Sequence, residues 1–255
     1  MSRYKIGVTE AGDAGIDLSW VEKLARVDGA IVITKKITNA FVQAVAKNKD
    51  KLVVHATVTG YGGTVLEPNV PTLDESRDFV QDLLNAGFSK HKTVIRVDPI
   101  IPTKKGLATA ERVMKAFIDG GFYRFRVSVL DNYPHVCKRF REARLPVLYN
   151  GNFMPTTKDF EATDAMLASV LAYASSKGAG DGRGFRLECC AEPNLRNATK
   201  CGCISAYDLS LLGLDTREAD DAGVQRRNCM CYSGKTELLE HKQRCPNGCL
   251  YCYWR

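Results

Sequence analysis

Short apolar segments alternate with segments of helical periodicity along most of this chain, and that alternation restricts the fold more than any other feature. Strands that alternate with helices are typical of βαβ units, in which helices cover a parallel sheet. The pattern therefore predicts an α/β fold, a partial or complete TIM-like (β/α) barrel. The predicted strands are residues 4–9, 29–34, 52–59, 93–98, 123–130, 146–149 and 185–188.

The segments between these strands carry the residues that usually start helices. Thr72 and Glu75, for example, form the spacing of a capping box before an apolar helical run. A glycine-rich stretch at 178–184 then separates the barrel pattern from the rest of the chain. We therefore predict a barrel domain over 1–184 and a cysteine-rich segment over 185–255 that packs on it.

The composition is that of an ordinary globular protein, with 45% hydrophobic and 25% charged residues. No stretch is long and apolar enough for a membrane helix, and the first residues contain no apolar signal core. We expect a cytoplasmic protein without a membrane partner. The formal net charge of +7 is compatible with a nucleic-acid or phosphate-bearing partner, although a solvated basic surface is the more common explanation.

Cysteines are concentrated in the last part of the chain. Nine of the ten follow residue 185, and only Cys137 precedes it. Disulfide bonds are rare in a reducing cytoplasm, so clustered cysteines there are typical of metal binding. We interpret the isolated Cys137 as a buried, inert thiol.

Three cysteines near the end of the chain, Cys245, Cys249 and Cys252, follow the spacing CX3CX2C. A structural zinc site normally has four ligands, whereas three ligands leave one coordination position open. Thiolates are the usual ligands of iron–sulfur clusters. The spacing therefore predicts a catalytic 4Fe–4S cluster with one iron free for a small molecule. A structural zinc knuckle completed by His241 is the alternative.

Polar side chains occur where the predicted strands end. Lys35 follows the second strand, Thr57 lies in the third, Asp98 ends the fourth and Ser128 lies near the end of the fifth. In parallel α/β folds the chemistry takes place at the carboxyl ends of the strands. We therefore expect the cysteine loop to face these side chains.

The string GCLYCY at 248–253, together with CX3CX2C, resembles the radical S-adenosylmethionine (SAM) superfamily and in particular its spore photoproduct lyase-like branch. The motif of that family normally lies near the N-terminus, so the nearest resemblance is to a circularly permuted, uncharacterised family. The resemblance implies that SAM binds the open iron and is cleaved reductively to methionine and a 5′-deoxyadenosyl radical. That radical would abstract hydrogen from a substrate.

The same resemblance implies contacts to SAM. The string AGD at 11–13 resembles a Gly-Gly-Glu motif that approaches the SAM amino group, and TK at 34–35 resembles a Thr-Lys pair whose lysine reaches the SAM carboxylate. The string RVDPIIP at 96–102 resembles the V-D-P-I-I-P strand of the branch. The alternatives are an ordinary Gly-Asp loop at 11–13, a Lys35 that points into solvent, simple packing of Tyr251 against the barrel, and purely structural hydrogen bonds for the strand residues. The implied cofactor-binding residues are Asp13, Lys35, Thr57, Arg96, Asp98, Ser128 and Tyr251.

A second cysteine group precedes the motif. The strings Cys-Ala-Glu, Cys-Ile and Arg-x-x-Cys-x-Cys resemble the pattern of the permuted family, which implies a further set of ligands. These are Cys190, Cys203, Cys229 and Cys231. Four thiolates close either a zinc site or an auxiliary 4Fe–4S cluster, and of the two we favour the cluster. Cys189 and Cys201 are left as spare thiols.

These observations predict a radical SAM enzyme whose substrate the sequence does not name. Its expected partners are SAM and an electron donor such as flavodoxin or ferredoxin. Two alternatives remain open at this point: a radical enzyme that repairs or modifies pyrimidine bases in nucleic acid, and a non-catalytic, zinc-stabilised nucleic-acid-binding protein.

Overall fold

The computed structural model describes residues 4–180, 182, 184–216, 230–231, 235–240 and 245–254. Its strands are β1 (Ile6–Val8), β2 (Gly29–Thr34), β3 (Leu52–Thr57), β4 (Thr93–Ile100), β5 (Arg124–Val129), β6 (Arg186–Cys190), β7 (Thr199–Cys201) and β8 (Lys235–Glu237). In this part of the chain, the eight strands form one parallel sheet in the order β7-β6-β5-β4-β3-β2-β1-β8. The sheet is curled into a half-barrel, which confirms the predicted α/β fold with a partial barrel.

Helices connect most of the strands. They are α1 (Trp20–Lys23), α2 (Asn39–Asn48), α3 (Leu73–Asn85), α4 (Lys104–Asp119), α5 (Pro134–Glu142), α6 (Thr157–Ser176) and α7 (Ala206–Leu211). Thr72 and Glu75 form both bonds of the predicted capping box at the start of α3. The same motif, which we did not predict, starts α6 and α7. Within the described residues, no helix combines the length and the apolar character that crossing a bilayer requires.

The sheet has two different faces because side chains alternate along each strand. In β3, Val54 and Ala56 belong to the main apolar core beneath the helices, which also contains Phe117 of α4 and Val170 of α6. Burial of a side chain as large as Phe or Val stabilises the fold by roughly 1.5–3 kcal/mol. His55, between Val54 and Ala56, lies on the opposite, inner face of the half-barrel.

The inner face carries charged side chains that are nevertheless buried. Arg124 and Arg126 of β5 are each 1% exposed, and Asp208 of α7 is fully buried beside them. Arg124 pairs with Asp208, and Nη2 of Arg126 lies 2.9 Å from Glu188 of β6. Burial alone would raise the pKa of Asp208, but the two guanidinium groups hold it well below its ordinary value. These ion pairs fix α7 against the inner face.

The predicted strand at 146–149 is wrong. The chain makes a 3-10 turn at Leu148–Gly151, in which Tyr149 and Asn150 both have a φ of 53°. This left-handed backbone cannot continue a strand. Two of the apolar residues of this segment are buried in the turn and not in a strand. Tyr149 is one of them, and its hydroxyl donates to the Leu130 carbonyl oxygen at 2.7 Å.

The expected end of β4 at Asp98 also needs correction. The strand continues through Pro99 to Ile100, with a register irregularity between Val97 and Ile100. A proline donates no backbone hydrogen bond, so it is tolerated where the regular ladder is interrupted.

Our sequence analysis did not predict two short strands, β7 and β8, which lie at opposite edges of the sheet. β8 pairs with β1, and the Glu237 carboxylate accepts hydrogen bonds from the backbone N–H groups of Glu10 and Ala11, both at 3.0 Å. Three strands of the sheet therefore come from the cysteine-rich segment 185–255.

Replacing Asp208 by Asn removes the negative charge between Arg124 and Arg126 at nearly constant size. We expect the free energy of unfolding to fall by about 3–5 kcal/mol, because buried guanidinium groups lose their counter-charge. Urea denaturation followed by circular dichroism measures the loss. Asp74→Asn is the matched control, since that carboxylate is 91% exposed beside Arg77 and should change stability by less than about 0.5 kcal/mol.

The contribution of Asp208 should also depend on pH. Its folded-state pKa lies below the unfolded one, so the stabilisation is complete above the unfolded-state value of about 3.9 and declines as the pH falls below it. If the difference in the free energy of unfolding between wild type and Asp208→Asn stayed constant at acidic pH, Asp208 could not be ionised in the folded protein.

Candidate active site

The three motif cysteines lie on a loop, residues 245–254, at the carboxyl end of the parallel strands. Cys249 packs in an apolar cluster with Ile101 and Leu130, which directly follow β4 and β5. Arg139 of α5 donates hydrogen bonds to two carbonyl oxygens of the loop, one of them at 2.7 Å. We call this segment the cysteine loop.

The thiols of the cysteine loop lie within electrostatic range of one another. Burial, with a smaller contribution from Cys252 and Cys245, raises the pKa of Cys249 to about 12. Burial also raises the pKa of Cys245. In ligand type and number, three thiols on one loop suit an iron–sulfur cluster with one open iron. Across the described residues, no group of three or more His, Cys, Asp or Glu side chains is arranged as a metal-ion site.

Asp13 connects the cysteine loop to the first two strands. One of its oxygens accepts from the Thr34 hydroxyl, and the other accepts from the Lys35 backbone N–H at 3.0 Å and from Nδ2 of Asn247 at 2.6 Å. Asn247 lies between the first two motif cysteines. The structure thus places Asp13, our candidate SAM contact, in direct contact with the loop.

Lys35 forms a second connection. Its Nζ lies 2.8 Å from a carboxylate oxygen of Glu67 and 3.0 Å from the Tyr251 hydroxyl, and that hydroxyl also donates to Glu67. The Thr59 hydroxyl donates to the other oxygen of Glu67 at 2.6 Å. Burial would raise the pKa of Glu67, but Lys35 lowers it, so the pair is ionic. A buried ion pair therefore holds Tyr251, and with it the loop, against the sheet.

The other predicted contacts lie on the inner face near the same edge. Thr57 pairs in register with Arg96, and Nε of Arg96 lies 2.7 Å from Asp98. Ser128 is two residues beyond Arg126 on the same face of β5 and donates to Glu192 at 2.8 Å. The structure thus brings the predicted residues to one edge, with Arg96 and Asp98 paired to each other.

The second cysteine group is partly described. The sulfurs of Cys190 and Cys203 are 3.5 Å apart, and the Cys203 backbone N–H donates to the Cys231 sulfur at 3.0 Å. Hydrogen bonds to the thiols of Cys190 and Cys203, together with burial, raise the pKa of Cys231. Three of the four implied ligands therefore converge. The fourth, Cys229, lies outside the described residues, as does His241, the alternative zinc ligand.

The spare thiols of this region take different positions. Cys201 pairs in register with Cys190, so both lie on the inner face of the sheet, whereas Cys189 belongs to the main apolar core beneath the helices. Burial raises the pKa of Cys201 to about 12 and that of Cys189 to about 11.

A charged pair lies beside the second cysteine group. Lys235 of β8 is 2.7 Å from Glu10, and its pKa is affected by both Cys203 and Cys231. Burial would lower the pKa of Lys235, but its interactions with Cys203, Glu10 and Cys231 raise it. A cation is therefore held beside the second cysteine group.

Asn247 and Glu192 are among the residues of the site that had no assigned role in our sequence analysis. Asn247 lies within the motif, where the cysteine spacing gives no information about the residues between the ligands. Glu192 follows Cys190 by two residues and is 7% exposed, and burial raises its pKa to about 7. The Cys-Ala-Glu string was the only signal for it.

Replacing Glu67 by Gln should loosen the cysteine loop, because Lys35 would lose its buried counter-ion and Tyr251 its charged acceptor. We expect iodoacetamide to alkylate Cys249 at least about tenfold faster in the metal-free protein, given the cost of breaking a buried pair. Peptide mass spectrometry over a time course measures the rate. Glu111→Gln, which alters only the partly exposed contacts of Glu111 with Lys115 and Ser169, should leave the rate unchanged, and equal rates in all three proteins would refute the anchoring role of Glu67.

Comparison with known proteins identifies a family but not an activity. No curated protein and no solved structure matches the chain. Residues 18–254 match the family described as "Domain of unknown function (DUF1848)", a match that covers the half-barrel from α1 onward and the cysteine loop. The chain therefore belongs to the DUF1848 family.

Proposed function

We propose that this protein is a radical SAM enzyme whose catalytic 4Fe–4S cluster is held by Cys245, Cys249 and Cys252. The observation that carries the proposal is the position of a three-thiol loop at the carboxyl end of parallel strands, anchored there by the Lys35–Glu67 pair. Ligands of parallel α/β folds bind at this edge.

A recess beside the cysteine loop supports a SAM site. Its lining includes Ala11, Gly12 and Asp13 on one side and Cys245 and Pro246 on the other. A side chain at position 12 would come within 3.2 Å of Leu239, so glycine keeps the recess open. The proposal places the amino-acid end of SAM here, beside the open position of the cluster.

When bound, the cluster supplies the electron that cleaves SAM, and an external donor such as flavodoxin or ferredoxin supplies that electron to the cluster. The residues of the chain position the reactants and exclude water. Cys249 and Tyr251 are 7% and 6% exposed, and Tyr61 and Tyr149 pack in the same apolar cluster. A water-poor site protects a reactive radical from side reactions.

Arg96 and Asp98 are the proposed polar contacts on the inner face. A guanidinium can bind a carboxylate through two hydrogen bonds, and its pairing with Asp98 fixes its direction. Thr57 and Ser128 add hydroxyl groups at the same edge. These residues are the proposed contacts to the adenosine part of SAM or to the substrate.

For the second cysteine group we propose an auxiliary 4Fe–4S cluster held by Cys190, Cys203, Cys229 and Cys231. The convergence of three of these thiols supports a shared ligand. The adjacent Lys235 would offset the negative charge of the thiolates.

Iron content tests both proposed clusters. After anaerobic reconstitution we expect about eight iron atoms per wild-type chain and about four in Cys252→Ser or Cys231→Ser, because each serine removes one thiolate ligand. Cys137→Ser is the matched control, since that buried thiol of α5 belongs to neither group, and it should keep the wild-type content. About four iron atoms and one zinc per wild-type chain would instead show that the second cysteine group holds zinc and not an auxiliary cluster.

Product formation tests the reaction class. Incubation of the reconstituted protein with SAM and dithionite should yield 5′-deoxyadenosine, measured by liquid chromatography with mass spectrometry. Cys252→Ser should lower the rate by at least about a hundredfold through loss of the cluster, while Cys137→Ser should not. A colourless zinc protein that forms no product and binds DNA with a steep salt dependence would instead favour the nucleic-acid-binding alternative.

A further inference from the structure

Glu192 differs from the other buried carboxylates near the carboxyl edge of the sheet. Of the other buried and partly buried carboxylates on the inner face or beneath the cysteine loop, all but Asp13 contact a cation within ion-pair distance, and both oxygens of Asp13 accept hydrogen bonds. The pairs are Glu10–Lys235, Glu67–Lys35, Asp98–Arg96, Glu188–Arg126 and Asp208–Arg124. Among the described residues, Glu192 has no such cation, although it is only 7% exposed. Lys200 is nearby, but its ammonium binds the Glu192 carbonyl oxygen.

The carboxylate of Glu192 is nevertheless held in a fixed position. Its Oε1 accepts hydrogen bonds from the Ser128 hydroxyl at 2.8 Å and from the Val129 backbone N–H at 2.9 Å. Within the described part of the chain, no donor contacts Oε2. The preceding residue, Ala191, has a φ of 53°, a left-handed conformation that is unfavourable for a non-glycine residue. The backbone is thus strained where it turns Glu192 toward β5.

Glu192 lies beside the proposed reaction site. It accepts a hydrogen bond from the backbone N–H of Val129, and the next residue, Leu130, packs in the same apolar cluster as Cys249. A carboxylate buried without a counter-charge is costly, whereas one that binds a ligand cation recovers that cost.

We propose that Ser128 and Glu192 form a receptor for the protonated amine of a small-molecule substrate. The ammonium group binds Oε2 of Glu192, while Ser128 and the Val129 N–H hold Oε1. Binding of an amine rests on the geometry alone. The role of that amine as the substrate rests on the proposed radical SAM function.

Three four-carbon probes of different charge test the receptor in the metal-free, full-length protein: 1,4-diaminobutane, 1,4-butanediol and succinate. Isothermal titration calorimetry at pH 8 should detect the diamine at least about tenfold more tightly than the diol, and no binding of succinate. Because the assay contains no iron, SAM or reductant, a failure of the radical chemistry would leave its result unchanged. Wild type that binds the diamine no better than the diol would overturn the proposal.

Glu192→Gln should weaken diamine binding by at least about tenfold, because the neutral amide removes the charge and keeps the size. Glu161→Gln, the same change on the exposed face of α6, should bind like wild type. Ser128→Ala, which removes one anchor of Oε1, should weaken binding less and serves as the deciding variant if Glu192→Gln does not fold. If both variants fold and bind the diamine with wild-type affinity, the receptor is rejected. If Glu192→Gln does not fold, wild-type affinity of Ser128→Ala for the diamine rejects it.

SAM also carries an ammonium group, so its binding is measured separately. We expect Glu192→Gln to leave the SAM affinity of the reconstituted protein within about twofold of wild type. A loss of SAM affinity equal to the loss of diamine affinity would assign the receptor to SAM and overturn its assignment to the substrate.

Discussion

Charge compensation inside the half-barrel is the constraint on which the rest of the structure depends. Arg124 and Arg126 project from β5 into a region that is almost inaccessible to water. Such side chains are tolerated only when opposite charges meet them, and Asp208 and Glu188 do so here. Since Asp208 belongs to α7, the same ion pairs bring the segment after β7 onto the inner face of the sheet.

The same requirement holds the cysteine loop at the carboxyl edge. Lys35 cannot be buried without an anion, and Glu67 supplies it from the connection between β3 and α3. Tyr251 completes the arrangement through its hydroxyl. The loop thus binds residues from four separate parts of the chain, since Asp13 and Arg139 also contact it. A rigid anchor suits a site in which a reactive species must be held at a defined distance from its target.

The second cysteine group has an architectural consequence as well as a proposed chemical one. Cys203 lies two residues after β7 and Cys231 lies before β8, and these are the strands at the two edges of the sheet. The contact between these residues therefore joins the chain at both edges of an open half-barrel. Exposed strand edges invite unwanted pairing, and a contact of this kind, strengthened by a shared metal group, would protect them.

The sequence alone determined the α/β class, six of the strands and the capping box at Thr72, because hydrophobic periodicity and capping are local properties. It also determined the cysteine spacing and the residue types at the strand ends. It did not reveal that 146–149 forms a turn, that β7 and β8 exist, or that Lys35 binds Glu67. Only the tertiary structure decided these features, because a three-residue edge strand or an ion pair between distant residues is stabilised by partners that local sequence does not specify. For the same reason, only the tertiary structure showed that Glu192, unlike the paired carboxylates around it, has no cation within ion-pair distance among the described residues.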